Sequence, residues 1–552
     1  MENERKQKRK QSLIAGALTG SAGIFITKAL SLLYVIPFNS IAQDATVFYS
    51  YGYTVYDALL QVCLSGFPYA IATLVAKYMA KDDKATVNIV KKVSKSILLV
   101  LGCVCCVFMI AFSNLLAKQI IPNDLQSTSY LYYTRVVLII LAFALIFVPY
   151  LSYYRGIYQG MKELKTYAFT QVLEQVVRIA FLLAASSLCV YAFNLDRIWA
   201  AYMGVASTSV SAICTIIYFI FNEKRNAISE QDCGVSIYTD KDIFKELVRV
   251  AIPYLLSSLM FSSSGMFVLL VFSSGLEAYG TEGKLITIYQ GIINYQASKI
   301  SSIPMIIMSG FCLVIIPHIT EAVTNHDDKK VIQLIHKTLE TVNYLSVPIV
   351  CFMIFFSQEI YYIMYGDYYL DIGTSLLAKS LACQLLMNIA GILNSLLIAV
   401  QLRKKYLTIE AIRLTYLLIV LKPFLSKFGV NGYFYALASE YLIMASGSLI
   451  LINSNYDLYF KGLFDNFSKS WLGCIPMFII VALLRNITEV TCVGQSRFVI
   501  LIFTGVMFVL CIGIYIFITY KLKIVESLFD VESIKDGFNK IINKLSGKKD
   551  AH

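Results

Sequence analysis

Lys299 stands in NYQASKISSIP, residues 294–304, inside the apolar run LITIYQGIINYQASKISSIPMIIMSGFCLVIIP. An ammonium at the centre of a bilayer-crossing helix costs about 2.5–3.5 kcal/mol, so it faces a wet cavity or a partner. Lys299 lies about 14 residues from the outer end of its run, about 21 Å deep at 1.5 Å per residue. Its own stem reaches only about 6 Å, too short to bring the charge to the interface. Lys28, in GIFITKALSLLYVIPF, holds a comparable place in the first apolar run. Two ammonium groups on one low-dielectric cavity attract an anion. The competing reading is neutralisation by a buried carboxylate, for which Asp57 is the candidate nearest in sequence.

Polar side chains gather in the same runs. Asn294, Gln296 and Ser298 precede Lys299, Ser258 and Ser262 lie in SSLMFSSSG, and Asp57 and Gln61 share the second run. Such hydroxyls and amides either bind sugar or glue helices together. Pro37, Pro68, Pro253, Pro304 and Pro317 fall in spans one, two, seven and eight, which marks those helices as interrupted and cavity-lining. Glu174 and Arg178 are spaced i,i+4, and Glu410 and Arg413 i,i+3. Both read as neutralised structural ion pairs within a helix. No P-loop, HExxH or GxSxG is present, so no enzyme is expected. His318, His326 and His336 are too scattered for a metal site, and no cofactor is expected beyond a coupling ion, Na⁺ or H⁺.

The elements that position these residues are membrane helices. Of 552 residues 58% are hydrophobic and only 15% charged, and continuous apolar runs of about 20 residues recur throughout. The runs predict an all-α polytopic protein with about fourteen spans, near 12–38, 47–76, 94–116, 131–153, 167–191, 197–221, 245–273, 285–317, 338–357, 376–401, 406–424, 430–453, 470–487 and 497–520. The net charge of +12 gathers in short alternate loops, which is the positive-inside pattern rather than a nucleic-acid surface. Both termini are then cytoplasmic. The PFLS segment between Lys422 and Lys427 reads as an outer turn, against that pattern. The 13 cysteines lie mostly in apolar runs and read as packing residues.

A repeat divides the chain. AKDDKATVNIVKKVSKSILLVLGCVCCVFMI at 80–110 has the plan of NHDDKKVIQLIHKTLETVNYLSVPIVCFMI at 325–354. It predicts two six-helix lobes of the same orientation with a substrate site between them. The expected organisation is a basic N-terminus at 1–11, an N-lobe at 12–221, a linker at 222–244, a C-lobe at 245–453, two further spans at 454–520 and a basic tail at 521–552. In that tail Ile524, Leu528, Val531, Ile534, Phe538, Ile541 and Leu545 form one face, predicting an amphipathic helix on anionic lipid.

TKALSLLYVIPF, YTVYDALLQVCLSGFPYAIATLVAKY and NYQASKISSIPMIIMSGFCLVIIPHITEA resemble the MOP flippase superfamily, most of all its branch of MurJ lipid II flippases and stage V sporulation protein B. The resemblance covers nearly the whole chain. It implies a V-shaped pair of lobes with two extra C-terminal helices, in a bacterial plasma membrane. It implies a flippase for an undecaprenyl-diphosphate-linked saccharide, lipid II foremost, working by alternating access, with cell-wall synthesis proteins as further partners. By that resemblance Lys28 and Lys299 occupy diphosphate-binding arginine positions of spans one and eight. Tyr34 and Gln61 stand where the family has further arginines, and Tyr34 joins the polar groups of the cavity. A lysine is a point charge where arginine is a planar fork, so bidentate capture of diphosphate is weakened. The alternatives are a multidrug and toxin extrusion antiporter for cations, a carrier of other lipid-linked glycans such as capsule or O-unit precursors, and a non-transporting scaffold.

Overall fold

The computed structural model describes residues 27, 30–31, 34–64, 66–161, 163–225, 238–458, 460–488 and 494–528. Lys28, the basic N-terminus and the tail beyond Leu528, with most of its expected amphipathic helix, lie outside them.

Among the described residues the elements are helical. They are α1 (Val35–Ala42), α2 (Thr46–Leu64), α3 (Phe67–Met79), α4 (Lys84–Ile120), α5 (Ser129–Gly160), α6 (Leu164–Ser187), α7 (Ile198–Arg225), α8 (Asp240–Tyr279) and α9 (Gly283–Gly291). A π-helical stretch, Ile292–Ala297, leads into α10 (Ser298–Ser301). Then come α11 (Ile303–Thr324), α12 (Asp328–Phe355), α13 (Ser357–Tyr365), α14 (Leu370–Ala399), α15 (Arg403–Phe428), α16 (Val430–Tyr456), α17 (Phe460–Thr488), α18 (Arg497–Lys521) and α19 (Ile524–Leu528). Nine helices among the described residues are long and apolar enough to cross a membrane. The protein is a multi-pass, all-α membrane protein.

Two of the expected continuous spans are broken. The second splits between α2 and α3 at Gly66, whose φ of +88° suits glycine, and Pro68 follows in the first turn of α3. The eighth passes through the π stretch and a turn at Ser302 before Pro304 opens α11. Proline content alone does not single these spans out. Pro149, Pro253, Pro348, Pro423 and Pro476 sit inside α5, α8, α12, α15 and α17, which run on past them, so span seven is not interrupted at Pro253. The PFLS segment is one such case: α15 continues to Phe428, and the chain turns at Gly429, φ +60°.

The repeat is visible in local geometry. Asp83 caps α4 by accepting from Thr86 N, and Asp327 caps α12 by accepting from Lys330 N. Their backbones match, at φ −89°, ψ 76° and φ −94°, ψ 76°. The preceding residues, Asp82 and His326, both have φ of 56°. The capping register therefore pairs Asp83 with Asp327, one residue off the DDK match. The same register aligns Phe108-Met109-Ile110 with Phe352-Met353-Ile354.

The chain divides into two compact units, residues 1–299 with 410–437, and residues 300–409 with 438–552. In the first, α8 is tied down along its length. Thr239 and Asp242 form a reciprocal capping box at its start. Glu246 accepts from Lys77 at 2.6 Å and from Tyr78 at 2.7 Å. Ser273 donates to the Ile120 carbonyl at 2.6 Å, and Glu277 accepts from Asn123 N and Nδ2 at 2.5 and 2.7 Å. The second unit is built on an apolar core that includes Val331, Ile335, Leu393, Leu397 and Met444. It also holds an apolar cavity of about 800 Å³ bordered by Leu339, Leu393, Leu449, Phe464, Trp471 and Phe478.

Candidate functional site

The first unit collects most of the polar residues expected to line a cavity. Asp57, on α2, has an exposed side chain. The cations acting on its carboxylate are Lys299 first and Arg178 second. Lys299 is half-buried on α10. Its approach is set by the π stretch before it, which inserts an extra residue and rotates the downstream helix by about 100° relative to a continuous α-helix. Ser258 on α8 donates to Gln61 Oε1 at 3.1 Å. Ser262 and Asn294 are half-buried and Ser298 is exposed.

Tyr34 and Gln296 sit inside packing instead, 6% and 1% exposed. The Tyr34 hydroxyl lies 3.4 Å from that of Tyr49, and Gln296 Nε2 donates to Asn39 Oδ1 at 3.5 Å. Around them Tyr49 packs against Phe38, Tyr53 and Tyr295 at ring separations of 5.2, 4.5 and 5.6 Å. Gln290 is likewise structural: it accepts from Tyr51 at 2.5 Å and donates to Ser273 at 3.3 Å. Lys28 is outside the described residues, so its place relative to Lys299 is not part of this geometry.

The helical ion pairs are unlike one another. Arg178 Nη2 lies 2.5 Å from Glu174 Oε1, and a second arginine, Arg155 on α5, lies 2.7 Å from Oε2. The three side chains are 17% (Arg155), 12% (Glu174) and 23% (Arg178) exposed. Glu410 and Arg413, on α15, pair at 2.9 Å with exposures of 0% and 2%, and Arg413 also donates to the Met260 carbonyl at 3.3 Å. Arg155 escaped sequence reasoning because its partner is on another helix, outside any i,i+4 search. Its trace in the sequence is a lone arginine ending the aromatic run YLSYYRG.

Among the described residues no group of three or more His, Cys, Asp or Glu side chains is placed to hold a metal. The first unit thus holds a half-buried ammonium at Lys299, an exposed carboxylate at Asp57, and the hydroxyls and amides of Ser258, Ser262, Gln61, Asn294 and Ser298.

A family model described as polysaccharide biosynthesis protein matches residues 13–323. Lipid II flippase MurJ of Bacillus subtilis (strain 168) is 26% identical over 467 residues, covering 81% of this chain and 84% of that one. Stage V sporulation protein B of the same organism is 24% identical over 366 residues, covering 65% and 68%. Among solved structures, an inward-facing multidrug resistance MATE family transporter of the MOP superfamily matches with a TM-score of 0.64 at 14% identity, over 80% of this chain and 98% of that one. That last likeness concerns the fold.

Proposed function

The chain belongs to the polysaccharide biosynthesis protein family and has the fold of MOP-superfamily transporters, and from that premise we propose that it is a flippase for an undecaprenyl-diphosphate-linked saccharide, lipid II foremost. The observation that carries the reading is Lys299, a half-buried cation in a membrane helix that acts on the exposed Asp57. An ammonium in a low-dielectric, water-reached hollow offers a diphosphate more than the same charge in bulk water. Gln61, Ser258, Asn294 and Ser298 supply amide and hydroxyl groups for the sugar and peptide. Lys28 is proposed as the second diphosphate ligand. The head group enters from the cytoplasmic side of a bacterial plasma membrane and leaves outward by alternating access, while the prenyl tail stays in lipid. The inside-negative potential favours outward movement of the anion. Anionic lipid held by the C-terminal tail and partners in cell-wall synthesis belong to the same proposal, as does a coupling ion, Na⁺ or H⁺.

The test is rescue of a strain depleted of its own lipid II flippase. The wild-type gene is expected to restore growth and surface-exposed lipid II, and Lys299→Ala, expressed to the same level in the membrane, to lose both. Full rescue by Lys299→Ala removes the lysine from its role; no rescue by the wild type removes lipid II as cargo. The exposed Asp57 carboxylate and the tyrosines of α2 favour a second reading, a cation antiporter. It predicts that expression lowers the susceptibility of a pump-deficient strain to cationic drugs and that Asp57→Asn abolishes the protection.

A further inference from the structure

Glu174 is shared by two arginines. One carboxylate cannot neutralise both, so the Arg155–Glu174–Arg178 cluster keeps one positive charge inside the membrane domain. That residual charge is not sealed in, since the three side chains remain 12–23% exposed. The Nε–H groups of Arg155 and Arg178 are buried and have no acceptor among the described residues. Each guanidinium spends an Nη on Glu174, which fixes its plane and leaves donors for a further acceptor. The direction in which Arg178 offers its charge is set by its neighbours. It acts on Tyr53 and Tyr56 and, together with Lys299, on Asp57. Arg178 and Lys299 thus both act on the exposed Asp57 carboxylate, within the first unit.

We propose that Arg178, oriented by Glu174 and backed by Arg155, is a phosphate-binding subsite of the Lys299 cavity and supplies the planar, two-pronged contact that lysine cannot make. The ligand class is a phosphate or diphosphate monoester or diester, with Lys299 acting as a point charge and Arg178 as a fork. Glu174 and Arg155 are positioning residues: they hold the guanidinium and set its net charge. The inference deepens the flippase reading and rests on it for the identity of the cargo, though the charge count at Glu174 stands without it.

The experiment uses the full-length protein in nanodiscs and three probes: undecaprenyl diphosphate, inorganic pyrophosphate and undecaprenol. Arg178→Lys keeps the charge and removes the fork. It is expected to weaken undecaprenyl diphosphate binding about tenfold, the size of one charge-assisted hydrogen bond, and to leave undecaprenol binding unchanged. Glu174→Gln keeps an oxygen acceptor to orient Arg178 while removing the competing negative charge, and is expected to tighten pyrophosphate binding several-fold and steepen its salt dependence. A merely structural role predicts the opposite sign, because loss of the shared carboxylate then loosens the site for every probe. Arg178→Lys binding undecaprenyl diphosphate within twofold of wild type, or Glu174→Gln binding pyrophosphate more weakly, overturns the proposal. If Lys299→Ala still loses diphosphate binding in that case, the flippase reading survives alone. If wild type binds undecaprenyl diphosphate no better than undecaprenol, both fall.

Discussion

Glu174 with Arg178 and Glu410 with Arg413 are nearly the same motif in sequence, an acid and an arginine one helical turn apart, yet they become different objects. At Glu410 the pair is closed, with 0–2% exposure and the guanidinium also donating to the Met260 carbonyl. At Glu174 a second arginine arrives from a neighbouring helix, all three side chains keep 12–23% exposure, and a positive charge is left over. An i,i+3 or i,i+4 pair therefore does not announce whether its charge is cancelled or available. The third neighbour and the access of water decide that.

The comparison can be broken by stability measurements. The largest effect is expected for Arg413→Ala, which removes an ion-pair partner of Glu410 in a fully buried site and should cost about 3–5 kcal/mol in detergent-solubilised unfolding. A double Glu410→Gln/Arg413→Met variant should recover most of that loss. Arg178→Ala should cost less, about 1–2 kcal/mol, because Arg155 still faces Glu174 and the site is only partly buried. Equal losses at the two sites would mean that the closed and open pairs are energetically alike. The repeat-related caps supply a control that separates environment from position along the chain. Asp83→Ala and Asp327→Ala each remove an equivalent N-cap and should cost about 1 kcal/mol alike. For Asp83 the hydrogen bonds from the Thr86 side chain and backbone hold the carboxyl below the usual range. A lowered folded value means that the cap is at full strength above about pH 4 and is lost as the pH falls through the lower folded value. The stability gap between wild type and Asp83→Ala should thus be constant near neutrality and close only in strong acid.

The two breaks make a related point about legibility. Both spans carry proline, but five other helices run past proline without stopping. At Gly66 the break needs a positive φ, which composition allows but does not require. Before Lys299 the π stretch changes the helical period itself, so 3.6-residue spacing could not assign the lysine's direction. This is also why Gln296, expected on the cavity, is inside packing at 1% exposure while Ser298 stayed open; Tyr34, on the first span, is 6% exposed because it packs against Tyr49.

The sequence alone determined that the chain is an all-α membrane protein with an internal repeat, because the length of apolar runs and the capping chemistry of Asp83 and Asp327 are local properties. It also flagged Lys299 and Asp57, because a charge within an apolar run is conspicuous whatever surrounds it. Tertiary structure decided which ionisable groups meet: Arg155 meets Glu174 across 19 residues, and Lys299 acts on Asp57 from a different helix. Such pairings depend on helix packing and rotation, and periodicity along one helix carries no information about either.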